Sequence, residues 1–206
     1  MNRPTKIIAG HQEFIGSDTC NLLAFYPADE RSGRPYLVPV DGGMETPLKV
    51  PETGGGMLSP DGTKYVYTPI DREFRTWKRY RGGRAQDVWI YDLENSSSLR
   101  LTDHRATDNQ PMWVGDSIYF TSDRDYLLEL YAMSPQGGEP RKVTDFEDFD
   151  ILWPSAGPDA IVFEKGGSIW HFDPATSEAR EVPIRVVGDR ALPVLVSTGT
   201  SPSSRP

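Results

Sequence analysis

Four times along this 206-residue chain, an aromatic residue stands twelve positions ahead of an apolar one. Tyr36 precedes Leu48, Trp89 precedes Leu101, Tyr131 precedes Val143 and Trp170 precedes Val182. The aromatics lie in short runs: Pro35-Tyr-Leu-Val-Pro-Val-Asp-Gly-Gly43, Asp87-Val-Trp-Ile-Tyr-Asp-Leu93, Glu129-Leu-Tyr-Ala-Met-Ser-Pro-Gln-Gly-Gly138 and Ser168-Ile-Trp-His-Phe-Asp-Pro174. A constant offset repeated at long intervals means one structural unit repeated, and this restricts the fold more than any other feature of the chain. The intervals between aromatics are 53, 42 and 39 residues. Two of the three fall near the ~40–45 residues of a propeller blade.

Further strands precede each aromatic run. Lys64-Tyr-Val-Tyr-Thr68 follows the turn Ser59-Pro-Asp-Gly62, Ser117-Ile-Tyr-Phe-Thr121 follows Gly115-Asp116, and Asp159-Ala-Ile-Val-Phe163 follows Gly157-Pro158. Asp-Gly and Gly-Asp pairs accept positive φ and close hairpins. The runs between them alternate and are rich in β-branched and aromatic residues, as half-buried strands require. No window shows helical periodicity. The pattern predicts an all-β chain folded as a β-propeller, with four blades of antiparallel strands spanning roughly 5–50, 51–105, 106–147 and 148–185. A blade buries both faces against its neighbours, so four blades either close tightly or form an incomplete arc of a larger ring. Residues 188–206, rich in Ser, Pro and Thr, carry no copy of the aromatic repeat and are expected to form a disordered tail.

Composition narrows the functional classes. The chain holds 22 Lys plus Arg against 30 Asp plus Glu, a formal net charge of −8. That argues against sequence-independent nucleic-acid binding, which depends on excess cations. Cys20 is the single cysteine, so an internal disulfide is impossible, and no Cys/His cluster has metal-ligand spacing. Neither a membrane-spanning apolar run nor a secretory h-region is present, which reads as a cytoplasmic chain with no membrane partner. His11, His104 and His171 are scattered, and no serine, base and orienting group share a recognisable spacing. His104 reads as a turn residue, and His171 as facing outward or into a blade interface. Asp123-Arg-Asp125 and Asp145-Phe-Glu-Asp-Phe-Asp150 lack calcium-loop spacing and read as solvated turn charges. Gly54-Gly-Gly56 lacks the context of a phosphate loop. No cofactor, metal or catalytic residue is expected.

One segment stands apart. Between Asp71 and Arg84 fall six of the 22 basic residues: Arg72, Arg75, Lys78, Arg79, Arg81 and Arg84. They are interleaved with Phe74, Trp77 and Tyr80 and followed by Gly82-Gly83. The segment is an insertion between two strands of one blade, and insertions of this kind carry function. Two readings are open. In one, the cations pack on the aromatics and pair with acids such as Asp71, Glu73 and Asp87. In the other, Arg72, Arg75, Arg79 or Arg81 takes peptide carboxylates in paired hydrogen bonds, with Trp77, Lys78, Tyr80 and Arg84 completing the loop.

The Ser-Pro-Asp-Gly turn and the ends Leu101-Thr-Asp103 and Val143-Thr-Asp145 resemble TolB-like propeller repeats. Arg72-Glu-Phe-Arg-Thr-Trp-Lys-Arg-Tyr-Arg-Gly-Gly83 followed by Asp87-Val-Trp-Ile-Tyr91 is more specific. With Gln110-Pro-Met-Trp113, Ser122-Asp-Arg124, Trp153-Pro-Ser-Ala-Gly157 and Ile161-Val-Phe-Glu-Lys-Gly-Gly167, it resembles the N-terminal six-bladed propeller of tricorn-type serine proteases. The resemblance covers about 55–187 and, less fully, 20–54. It implies a non-catalytic propeller that serves peptide access or product handling, the catalytic domains lying outside this sequence in a truncated gene product. The implied partners are peptides, the protease domains of the same enzyme, or further copies meeting through exposed blade faces. A stand-alone TolB-like interaction module is the alternative.

Overall fold

The computed structural model describes residues 22–25, 35–39, 43–70, 82 and 85–185. Every element among them is a strand. Strands β1 (Leu22–Phe25), β2 (Tyr36–Pro39) and β3 (Thr46–Pro47) form the first sheet. The second holds β4 (Gly55–Leu58), β5 (Lys64–Thr68), β6 (Trp89–Asp92) and β7 (Ser97–Arg100). The third holds β8 (Asp108–Val114), β9 (Ser117–Asp125), β10 (Leu127–Met133) and β11 (Arg141–Lys142). The fourth holds β12 (Ile151–Ala156), β13 (Ile161–Lys165), β14 (Ser168–Asp173) and β15 (Glu178–Val182). Each sheet is an antiparallel meander in chain order, and successive sheets pack through their first strands: β8 on β4 and β5, β12 on β8 and β10. This is an incomplete β-propeller.

The repeat of the sequence is a repeat of hydrogen bonds. Leu48 N donates to Pro35 O at 2.8 Å, Leu101 N to Val88 O at 2.8 Å and Val143 N to Leu130 O at 2.9 Å. In the fourth sheet Val182 pairs with Ile169. The twelve-residue offset is therefore the length of one aromatic strand, its turn and the return to the edge strand. The turns are closed by side chains that capture free amides. Asp92 Oδ1 accepts from Glu94 N and Asn95 N, and Asp173 Oδ1 from Ala175 N and Thr176 N. Ser134 accepts from Gln136 N at the matching place in the third sheet.

Alternation along the strands sorts side chains between the two neighbours of each sheet. The in-register aromatics stand opposite rings on the preceding strand, Tyr67 against Trp89, Phe120 against Tyr131 and Phe163 against Trp170. These pairs face the preceding sheet. Val66, Val88 and Ile90 of the second sheet face forward and bury against Trp113, Ile118 and Phe120 of the third. Tyr119, Leu130 and Ala132 do the same toward Ile161, Phe163 and Phe172 of the fourth. Tyr65 and Tyr67 pack with Leu37, Leu48 and Val50 of the first. Burying each large side chain stabilises by roughly 1.5–3 kcal/mol, so these seams supply the main cohesion between sheets.

Candidate functional site

In an antiparallel meander, alternate connections lie at opposite ends of the sheet. The connections β5–β6, β9–β10 and β13–β14 share one end with the links that lead from one sheet to the next. Hydrogen bonds between sheets confirm this common end, since Asp108 N donates to Gln86 O and Leu128 N to Asp150 Oδ1. The insertion leaves and re-enters here. Its two roots are tied by Gln86 Nε2, which donates to Ile70 O at 2.7 Å. Arg72, Arg75, Trp77, Lys78, Arg79, Tyr80, Arg81 and Arg84 lie outside the described residues.

Beneath that end, two seams finish in a cation seated on the in-register aromatic. Between the second and third sheets, the Arg124 guanidinium lies 4.7 Å from the Tyr131 ring centroid and 5.7 Å from that of Phe120. Its Nη2 donates to both oxygens of Asp108 at 3.0 Å, and its Nε to Ser122 Oγ at 3.0 Å. Asp108 is fully buried. Between the third and fourth sheets, Lys165 Nζ lies 4.5 Å from the Phe146 ring and 4.6 Å from that of Trp170. It donates to both oxygens of Asp148, at 2.8 and 3.0 Å. A cation on an aromatic face, held by a carboxylate, closes each apolar seam against water.

Other charged groups here respond to their burial. Desolvation raises Glu129 above the usual carboxylate range, although it accepts from the Thr144 hydroxyl and from Phe146 N. Desolvation also raises Asp87, against the pull of Arg100, whose Nη2 lies 2.7 Å from Asp87 Oδ2. Burial and the hydrogen bond to Asp125 hold the Tyr131 phenol well above its ordinary range. That same bond lowers Asp125. Lys165 lowers Asp148.

These positions correct part of the sequence reading. Asp123 is a buried side chain, its Oδ1 accepting from Thr107 N at 2.8 Å, and not a solvated turn charge. Asp145 and Asp148 are exposed, but each is paired, to Lys142 and Lys165. His104 is a turn residue whose Nδ1 accepts from Ala106 N. His171 lies opposite Val162 on one side and Arg180 on the other, and its Nδ1 is buried without a partner. Gly56 is explained by packing, since a Cβ there would stand 2.1 Å from Val66 O. No group of three or more His, Cys, Asp or Glu side chains suited to a metal exists among the described residues.

The exposed aromatics share this end too. Among the described residues they are Tyr126, 73% exposed in the β9–β10 turn, Phe149, 55% exposed, and Trp153, 49% exposed near the start of β12. Phe149 lies over Gly166 of the β13–β14 turn, where a Cβ would come within 2.7 Å of its ring. Tyr126 and Trp153 hold positive φ, 84° and 51°. For bulky residues that conformation is strained and marks a position imposed by its surroundings.

This is one end of a propeller in which cation–carboxylate pairs close the seams beneath exposed aromatics and the roots of the 71–84 insertion. Comparison with known proteins places it. Residues 24–178 match the tricorn protease N-terminal beta propeller domain, and the chain belongs to that family. It is 32% identical over 173 residues to tricorn protease homolog 1 of Streptomyces coelicolor, covering 82% of this chain and 16% of that protein. It is 32% identical over 150 residues to the tricorn protease of Thermoplasma acidophilum, covering 72% of this chain and 14% of that protein. Against the crystal structure of the tricorn protease the TM-score is 0.72, with 26% identity over 87% of this chain and 18% of the other. TolB from Acinetobacter baumannii shares the fold, with a TM-score of 0.59 and 17% identity over 78% of this chain and 40% of that one. No helix of the described residues is long and apolar enough to cross a membrane.

Proposed function

We propose that this propeller handles peptides for a tricorn-like serine protease, as a non-catalytic segment whose protease chemistry resides in other domains. The observation that carries the reading is the gathering of Tyr126, Phe149 and Trp153 at the end of the sheets from which residues 71–84 emerge. Aromatic faces hold apolar and cationic side chains of a passing peptide. Arginine forks take its terminal or side-chain carboxylates. The chain spans 16% and 14% of the lengths of the two relatives described above.

The test is fluorescence anisotropy with labelled peptides that differ only in a free or amidated C-terminus, together with a fluorophosphonate probe. The free carboxylate should bind more tightly, and replacing Arg79 and Arg81 by alanine should remove that preference. No serine should be labelled. Equal binding of both peptides would remove the carboxylate role, and stoichiometric labelling of one serine would overturn the non-catalytic assignment.

A further inference from the structure

The run Asp145-Phe-Glu-Asp-Phe-Asp150 links the third sheet to the fourth and carries two rings and four acids. Most of it is committed to holding the seam. The Phe146 ring lies against Lys165, Asp148 accepts from that same Lys165 nitrogen, and Phe146 N donates to Glu129. Asp150 accepts from Leu128 N, and Asp145 pairs with Lys142. One ring and one acid remain, Phe149 and Glu147, and both are exposed. They stand two residues apart, as Phe146 and Asp148 do. Glu147 has no ion-pair partner among the described residues.

The Phe149 ring is held in place. Gly166 lies so close to it that a Cβ there would stand 2.7 Å from the ring, yet Phe149 keeps 55% of its surface in water. Charge around it is sorted by depth. Asp145, Asp148 and Asp125 are 85%, 54% and 55% exposed, whereas the cations beside them, Lys142 and Lys165, are 28% and 6% exposed. Solvent therefore meets carboxylates and ring faces, both of them negative, with the compensating ammonium groups below.

We infer that Phe149 and Glu147 form a subsite for a basic side chain of a peptide, arginine in preference to lysine; this rests on the peptide-handling role proposed above and narrows its substrate class. The protein already seats a cation against a ring and a carboxylate twice, at Arg124 and at Lys165. Phe149 and Glu147 offer the same two components to solvent. A guanidinium suits them better than an ammonium, because it stacks flat on a ring while its fork meets a carboxylate in two parallel hydrogen bonds. An apolar side chain would gain the ring alone.

Fluorescence anisotropy on the full chain tests this with labelled peptides of one sequence, carrying arginine, citrulline or leucine at one central position. Both termini are capped, so neither contributes, and citrulline keeps the shape of arginine without its charge. The arginine peptide should bind about fivefold to tenfold more tightly than the other two, as expected of one exposed cation–π contact with one surface ion pair. Glu147→Gln should cut that preference to within about twofold, and so should Phe149→Leu. Glu147 is exposed, so its variant tests the subsite even if Phe149→Leu disturbs the fold. Glu94→Gln removes the same charge from the β6–β7 turn, at the opposite end of the sheets, and should leave the preference intact. An equal loss in Glu94→Gln would trace the preference to net charge and overturn the subsite. Equal binding of the three capped peptides, or binding of free-carboxylate peptides alone, would also overturn it while the peptide-handling role stands. If no peptide binds, capped or free, that role falls and the subsite with it.

Discussion

Replacing Arg124 by methionine tests whether the seams are held as described. Asp108 is fully buried, and both its oxygens accept from one guanidinium nitrogen at 3.0 Å. Removing the cation leaves the Asp108 carboxylate buried without its partner, which costs about 3–5 kcal/mol when one member of a buried pair is deleted. For a chain of this size each kcal/mol moves the melting temperature by about 2–4 °C, so the loss is about 6–20 °C. The double variant Asp108→Leu with Arg124→Met removes the charge along with its partner and keeps the volume apolar. It should recover most of the loss, giving a coupling free energy of about 2–3 kcal/mol between the sites. Urea unfolding followed by tryptophan fluorescence and by circular dichroism measures this. The two probes must coincide before a single free energy is quoted, because stacked repeats can unfold separately. A single variant that loses less than about 1 kcal/mol, or a double variant as unstable as the single one, would show that the pair is not the bolt of this seam.

Gly56→Ala should lower stability by about 1–3 kcal/mol or more, since β4 and β5 must part to admit a Cβ 2.1 Å from Val66 O; an unchanged melting temperature would contradict the packing. Glu129 has a folded pKa raised above 4.5, so its contribution is full below the unfolded value and is lost as pH rises through the folded one. Glu129→Gln should therefore gain stability relative to the wild type as pH rises above about 4.5, and a difference independent of pH would refute the assignment. Trp77→Ala should lower the melting temperature if the insertion packs on the propeller, by the roughly 1.5–3 kcal/mol of one buried aromatic; no change would favour a mobile recognition arm.

The fold was legible in the sequence wherever one residue type had one job. The in-register aromatics announced themselves because each must fill the gap to the preceding sheet, and the twelve-residue offset survives into the hydrogen bonds from Leu48, Leu101 and Val143. Ser59-Pro-Asp-Gly62 was legible as a turn for the same reason. Asp61 accepts from Ser59 Oγ and Thr63 N, and Gly62 takes φ of 73°. Strand ends were less legible. β9 runs to Asp125, four residues past the alternating core Ser117–Thr121, because Ser122 and Asp123 are buried polar residues and break the apolar pattern that marks a strand.

The seams were hidden for a related reason. Arg124 and Asp108 are sixteen residues apart, and Lys165 and Asp148 seventeen. Nothing in a linear charge count distinguishes such partners from solvated turn residues. What joins them is the meander, which returns the end of the second strand to the start of the first and sets both beside the aromatic of the third. A signal was available: once Tyr131 and Trp170 are placed in register, Arg124 and Lys165 are the cations at the far end of the paired strand in each sheet. Had the seams been closed with apolar residues instead, the end that carries Tyr126, Phe149 and Trp153 would be a continuous greasy surface prone to association. Charged pairs seated on aromatic faces keep water out of the seams while leaving that end polar between its exposed rings. Under the proposed peptide-handling role, such a surface would suit a transient partner, which must bind without being retained.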